Sequence, residues 1–227
     1  MEQYITNYHN GLNVKNKQVR GHLINLKRDR KSITSSEKKK LDSDIEDCSK
    51  KIQKCHRLSS LEWNIYFFKS NLGIENNYPH THLNVLFLPY EYYFSLKEQS
   101  RRKLLIHEQI HVYQRMFPIP FNHILINIHS LKVADRIESH PSFNRVRTNP
   151  DINNIIYKKS DNTYQMELLD DDAKTLADSH TYTFDEFHES KLETEIYEHP
   201  FEQLAYVLSD ALYSENEEVV HKYLKYL

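Results

Sequence analysis

This chain of 227 residues has few glycines, few cysteines and no long apolar run. Its three glycines do not form the glycine-rich loop that cradles phosphate groups in nucleotide-binding proteins. No apolar stretch approaches the roughly 20 residues that a membrane-spanning helix needs, so we expect no membrane association. The sequence also lacks the spacing of a zinc finger and any pattern typical of a serine or cysteine nucleophile.

The two cysteines, Cys48 and Cys55, lie seven residues apart in a segment with helical periodicity. At ~1.5 Å rise per residue their Cα atoms would be ~10 Å apart, which is too far for a disulfide bond. Since the sequence has no other cysteine, we expect a reduced, soluble intracellular protein of the cytoplasm or nucleus.

The charges are unevenly distributed, although the whole chain carries a net charge of only −2. Between Lys15 and Arg57 there are 14 Lys/Arg and 6 Asp/Glu, a net charge of +8. From Asp161 to Glu218 there are 17 Asp/Glu and 2 Lys/Arg, a net charge of −15. The basic segment can contact nucleic acid, dock on the acidic half of its own chain, or form a solvated helix face. Charge asymmetry alone is a weak signal for nucleic acid.

Apolar periodicity predicts a basic helical hairpin over residues 1–62. Its first helix is indicated by Val19, Leu23 and Leu26. A capping box, Thr34 with Glu37, opens the second helix. The apolar positions of that helix follow a spacing of four and three residues: Leu41, Ile45, Cys48, Ile52 and Cys55.

The remaining chain alternates strand and helix signals. Leu83–Leu88 reads as a strand stopped by Pro89, preceded by His80 and His82. A helix is predicted from a Ser95/Glu98 capping box to Met116 or Phe117, and another over 121–137. A polar loop with Arg145, Arg147 and Asn149–Asp151 follows, which would contact a substrate. Ile155–Tyr157 and Tyr164–Leu169 are predicted to form a β-hairpin, and a last helix begins at Pro200.

One run carries recognisable chemistry: His107-Glu108-Gln109-Ile110-His111. On a helix, His107, Glu108 and His111 fall on one face, and the two imidazoles, one turn apart, can reach a single ion. With one further ligand they would leave an open position for water, the arrangement of a catalytic zinc site, where Glu108 can act as general base. From Leu104 to Tyr113 Glu108 is the one charged residue, which is unlike an amphipathic surface helix.

The run Leu104–Tyr113 resembles the extended signature of the zincin metallopeptidases. The resemblance implies an α+β domain, here residues 63–227, with a small sheet and the motif on its central helix. It also implies that an edge strand of the sheet borders the active-site cleft, and Leu83–Leu88 is the candidate for that strand.

The third ligand is predicted from a second, shorter resemblance. The His-X-X-Gly-X-X-His continuation of one zincin branch is absent after His111, whereas 198–206 resembles the glutamate-bearing helix of the gluzincin branch. Glu202 is therefore the predicted ligand, with Glu198 and His199 as alternatives. Gluzincins often carry a carboxylate four residues after this ligand to orient a histidine, but Tyr206 stands there, so support is expected from elsewhere, such as Asp210 or Asp178.

Together these features predict a zinc-dependent metallopeptidase that hydrolyses peptide bonds of a peptide or protein substrate. Tyr206 is a candidate for stabilising the tetrahedral oxyanion. Two other classes stay open: a zincin-like binding module without hydrolysis, and a nucleic-acid-associated protein that acts through Lys15–Arg57.

Overall fold

A computed structural model describes residues 1–20, 24–72, 74–185, 189–191 and 199–227. Its helices are α1 (Glu2–Gly11), α2 (Val14–Arg20), α3 (Ser35–Ile52), α4 (His56–Ser59), α5 (Tyr90–Ser95), α6 (Glu98–Met116), α7 (Pro118–His123), α8 (Pro200–Tyr213) and α9 (Glu217–Tyr223). Its strands are β1 (Asn64–Phe68), β2 (His80–His82), β3 (Val85–Pro89), β4 (Lys132–Arg136), β5 (Ile155–Lys158), β6 (Tyr164–Leu169), β7 (Ser179–Phe184) and β8 (Glu189–Lys191). The predicted α+β class with small sheets is confirmed at this level.

The first sheet has the strand order β1-β3-β2, with β1 parallel and β2 antiparallel to β3. The prediction of Leu83–Leu88 as the edge strand is therefore wrong, because β3 is the middle strand. Leu86, Phe87 and Leu88 are all fully buried, as expected for a strand covered on both faces. The edge strands are β1 and β2, and Arg115 of α6 ties β2 to the motif helix by donating to Thr81 Oγ1 (2.9 Å).

The pairing of the later strands differs from the predicted hairpin. β5 pairs antiparallel with β4, whereas β6 pairs antiparallel with β7, and β7 with β8. Neighbouring residues of β5 point to opposite faces of the strand and reach two apolar clusters. Tyr157 packs in the main core, whereas Ile156 packs in a second cluster with Ile137, Phe184 and Met166 and Leu168 of β6.

The helix predicted over 121–137 is interrupted. α7 ends at His123, one π-helical turn follows over Ile124–Ile128, and the chain then enters β4. Ser130, with φ of 56°, breaks the helical path. The apolar periodicity that suggested a continuous helix thus spans two different elements.

The motif helix α6 lies at the centre of the main core. Every residue from Leu105 to Gln114 is buried, which explains why the run is almost uncharged. The core cluster unites α6 with α3 and α8 through apolar side chains of each helix: Leu41, Cys48 and Ile52 of α3; Leu105, Ile106, Ile110, Val112 and Tyr113 of α6; Phe201, Leu204, Ala205 and Leu208 of α8. The buried Asp44 of α3 also accepts from Arg101 Nε (2.7 Å) and Arg102 Nε (3.1 Å) of α6.

The helix boundaries follow the predicted end signals in part. The Thr34–Glu37 capping box is confirmed at the start of α3. α6 ends at Met116, and α8 begins at Pro200. The Ser95/Glu98 box is wrong, because Ser95 closes α5 and Lys97 caps α6 without a side-chain bond.

The basic N-terminal segment contacts the acidic C-terminal part of the same chain. Lys51 Nζ donates to Glu215 (2.9 Å) and Lys54 Nζ to Glu217 (2.7 Å). The first helix of the predicted hairpin does not extend to Leu26: α2 covers Val14–Arg20, Leu23 lies outside the described residues, and residues 24–33 form turns and extended chain. No helix in the described part of the chain has the length and apolar character needed to cross a membrane.

Candidate metal centre

Two imidazoles and one carboxylate from α6 and α8 converge in the core. Nε2 of His107 lies 3.0 Å from Nε2 of His111. Oε2 of Glu202 lies 3.6 Å from the first of these nitrogens and 3.5 Å from the second. Ligands bound at ~2.0–2.2 Å to one tetrahedral ion are themselves roughly 3.3 Å apart, so the three atoms have a spacing that fits a single ion. This buried group could hold a metal ion.

The start of α8 directs Glu202 towards α6. Pro200 occupies the first turn, and His199 caps the helix by accepting from the backbone N–H of Phe201 (3.2 Å). The apolar stripe of α8 packs on α6, and the fully buried Ala205 keeps the two helices close. Glu202, at the flank of this stripe, therefore points into the space between the helices rather than into solvent.

His111 is held by Gln114, one turn further along α6. Nδ1–H of His111 donates to Gln114 Oε1 (2.8 Å), and Gln114 Nε2 donates to the carbonyl of Phe201 (2.9 Å). Because Gln114 holds a proton on Nδ1, the neutral form of His111 presents the Nε2 lone pair to the centre. The expected partners Asp210 and Asp178 lie elsewhere: Asp210 pairs with Lys103 Nζ (2.6 Å), and Asp178 closes a turn at Lys174.

Glu202 is held by a loop residue. Asn149 Nδ2 donates to Glu202 Oε1 (3.0 Å), so that Oε2 is the oxygen that faces the two imidazoles. Asp151 of the same loop accepts from the backbone N–H of Thr81 (2.7 Å) and from its hydroxyl (2.6 Å). The loop Asn149–Asp151 therefore connects the edge strand β2 with the carboxylate on α8.

The alternative ligand His199 is not available to the centre. Its Nδ1 accepts from Phe201 N–H, and its Nε2–H donates to the carbonyl of Ile155 (3.1 Å). Both ring nitrogens are thus used in helix capping and in anchoring β5. Glu198, the other alternative, lies outside the described residues.

The electrostatics of the three groups favour a positive charge between them. Burial opposes the imidazolium form of His111, but the carboxylates of Glu202 and Asp151 outweigh it and raise the pKa of His111 to about 10. Burial lowers the pKa of His107 despite its contact with Glu202. Burial also opposes ionisation of Glu202, but His111 and His107 hold the pKa of Glu202 well below its usual range. A carboxylate thus stays ionised beside one neutral and one protonated imidazole.

Glu108 lies beside the centre but is not one of the three candidate ligands. Its side chain is 3% exposed, and its Oε2 makes no hydrogen bond within the described part of the chain. Burial, with the negative charge of Asp151 as a second cause, raises the pKa of Glu108 well above its usual range. Burial thus favours the neutral acid of Glu108, while its ionised form is a stronger proton acceptor than an exposed glutamate.

The centre opens onto a cleft of about 930 Å³. Its walls include the loop Asn149–Asp151, strands β2, β6 and β7, and the exposed side of α8. Tyr206 belongs to this wall: its ring centroid is 4.3 Å from that of His107, and 46% of the residue is exposed. The structure therefore brings all five residues of the predicted site, His107, Glu108, His111, Glu202 and Tyr206, to one cleft.

No known protein family, curated protein or solved structure matches this chain.

Three residues at the site were not predicted from the sequence to belong to the centre: Gln114, Asn149 and Asp151. Gln114 lies three residues after His111, a spacing that places both on one helix face, so this partner carried a local signal. Asn149 and Asp151 were predicted only as part of a polar loop for substrate. Their contacts with Glu202 and Thr81 join distant parts of the chain, which no periodicity reveals.

Proposed function

We propose that this chain is a zinc-dependent peptidase of the zincin type, similar to the gluzincin branch, in which His107, His111 and Glu202 bind zinc. The observation that carries the proposal is the triangle of Nε2, Nε2 and Oε2 atoms, with edges of 3.0, 3.5 and 3.6 Å, next to an open cleft. Nitrogen and oxygen donors in this number suit zinc with one open position. A sheet with a short antiparallel edge strand beside the motif helix also supports a zincin-like fold.

The residues around the triangle have different roles in the proposed peptide hydrolysis. A bound zinc ion supplies Lewis-acid chemistry, since it lowers the pKa of water to about 7 and polarises a carbonyl group. The ionised carboxylate of Glu108 accepts the proton of the attacking water and passes it to the nitrogen of the leaving amine. The hydroxyl of Tyr206, on the cleft side of His107, stabilises the negative oxygen that forms on the substrate.

The nucleic-acid alternative receives less support from the contacts of the basic segment. Lys51 and Lys54 are paired with Glu215 and Glu217, so part of the positive charge is neutralised within the chain. The binding-module alternative shares the same centre and is separated from the peptidase by catalysis alone.

Substitution of Glu108 by Gln tests the catalytic proposal. Because Glu108 is not a ligand, Glu108→Gln should keep zinc and fold, yet a neutral amide cannot take the proton of water. Cleavage in a peptide-library digest should fall by ~10²–10⁴-fold, the usual cost of losing a general base. Glu98→Gln is the matched control, since Glu98 lies on the same helix but pairs with Arg102 at its exposed start. Full activity in Glu108→Gln would refute the mechanism, and an inert, zinc-loaded wild type would favour the binding module.

A further inference from the structure

Two neutral amides, Gln114 and Asn149, each contact one of the three candidate ligands. Gln114 accepts from the imidazole of His111, and Asn149 donates to the carboxylate of Glu202. We propose that these two residues are positioning residues that orient His111 and Glu202 for the ion. This inference rests on the proposed function, since it concerns the zinc that the three ligands would hold.

Each amide is fixed in one orientation by a backbone group. The carbonyl of Phe201 accepts from Gln114 Nε2 (2.9 Å), so Gln114 must turn its oxygen to His111. The backbone N–H of Asp151 donates to Asn149 Oδ1 (2.9 Å), so Asn149 must turn its nitrogen to Glu202. A side-chain amide offers an acceptor at one end and a donor at the other, and here the backbone decides which end faces the ligand.

The two amides therefore act in opposite senses. Gln114 is an acceptor that keeps the proton of His111 on Nδ1 and leaves the Nε2 lone pair for the ion. Asn149 is a donor that engages Oε1 of Glu202 and leaves Oε2 for the ion. His107 differs from both, because its buried Nδ1 has no hydrogen-bond partner within the described residues and its ring packs on Tyr206.

The loop that carries Asn149 is itself anchored to the motif helix. Arg115 of α6 donates to the carbonyl of Pro150 (2.7 Å) and, through a second nitrogen, to Thr81 Oγ1 (2.9 Å). Asp151 holds the other side of the loop to Thr81. Asn149 is thus supported by the same helix that carries the two histidines, which suits a role in orienting a ligand from a different helix.

Because Gln114 accepts a hydrogen bond and Asn149 donates one, replacing each amide by a carboxylate should have a different effect on zinc affinity. In Gln114→Glu a carboxyl oxygen still accepts from His111 although the donor to the carbonyl of Phe201 is lost, so zinc affinity should fall less than in Gln114→Ala. In Asn149→Asp the donor to Glu202 is lost and like charges face each other, so zinc affinity should fall by ~10- to 100-fold, the usual cost of losing an outer partner. Gln114→Ala, which removes the acceptor, should weaken zinc to a similar extent. Zinc dissociation constants are measured by competition with a chromogenic chelator at pH 7.

The controls separate positioning from general packing. Gln109 is a buried glutamine of the same helix whose amide donates to the carbonyls of Leu61 (3.3 Å) and Glu62 (3.4 Å), away from the centre. Gln109→Ala should lower the thermal unfolding temperature but not the zinc affinity. If Gln114→Glu does not fold, the two Asn149 variants test the inference by themselves: Asn149→Asp must bind zinc more weakly than Asn149→Ala.

Three results would overturn the inference. The first is equal weakening by Gln114→Glu and Gln114→Ala, and the second is wild-type affinity in Asn149→Asp. In both cases the wild type still binds zinc, so the proposed function stands. The third is a wild type that binds no zinc, which removes the proposed function and the inference together.

Discussion

Nε2 of His107 and Nε2 of His111 face each other at 3.0 Å in the core of the protein. Two nitrogen lone pairs cannot meet at this distance without a proton between them, so one imidazole donates to the other. Despite the cost of burial, Glu202 and Asp151 raise the pKa of His111 to about 10, which identifies His111 as the donor. A metal ion and this proton therefore compete for the same place.

The competition predicts that zinc binding releases a proton. At pH 7 His111 is protonated because its pKa is raised to about 10, and it must lose this proton to offer Nε2 to the ion. Zinc affinity should accordingly increase as the pH rises from 7 to 9, by roughly tenfold per pH unit for one proton. Isothermal titration calorimetry in buffers of different ionisation enthalpy measures the number released. Binding without proton release, or with no dependence on pH, would contradict the shared-proton arrangement.

A second prediction concerns acid stability and the edge strand β2. His80 and His82 are buried as neutral rings, and burial lowers their pKa values to about 4 and about 2. Because the unfolded chain protonates both histidines below pH ~6.5 and the folded chain does not, stability is lost as the pH falls through this value. Between pH 7 and pH 5 the loss should be about 2 kcal/mol for each histidine.

Urea unfolding at pH 7 and pH 5 measures this contribution. The double variant His80→Phe/His82→Phe should lose much less free energy of unfolding between the two pH values than the wild type. The exposed His56 provides the control, and His56→Asn should follow the wild type. An unchanged pH dependence in the double variant would show that other groups cause the acid sensitivity.

A third prediction separates the ring of Tyr206 from its hydroxyl. The ring packs on His107 with centroids 4.3 Å apart, and Tyr206→Phe keeps this contact. Zinc affinity should therefore stay unchanged in Tyr206→Phe. If the hydroxyl stabilises the oxyanion, kcat should fall by ~10²–10³-fold with little change in KM, as for the loss of one oxyanion-hole donor. Equal kcat values in Tyr206→Phe and wild type would leave Tyr206 with a packing role only.

The sequence allowed the local part of the centre to be predicted, because helical spacing alone places His107, Glu108 and His111 together. Glu202 required a second resemblance, and the structure brings it to the same point. The start of α8 at Pro200 was also predictable, since proline suits the first turn of a helix.

Other features depend on contacts that local patterns do not encode. β2 has three residues and is polar by sequence, so its strand character comes from pairing with β3 and not from alternation. The segment Ile155–Tyr157 was correctly predicted as a strand, but its pairing with β4 instead of β6 joins distant parts of the chain, which a local pattern does not encode. The same holds for Asn149, which meets Glu202 only after the chain has folded.

The most direct test of the account is the zinc content of the wild-type protein and of Glu202→Gln. After zinc-supplemented purification, elemental analysis should find about one zinc per wild-type chain, because two imidazoles and one carboxylate form a zinc site. Glu202→Gln should lose most of this zinc, since a neutral amide is a poor ligand, whereas Glu198→Gln should retain it. A wild type without bound transition metal, or zinc loss in Glu198→Gln but not in Glu202→Gln, would contradict the account.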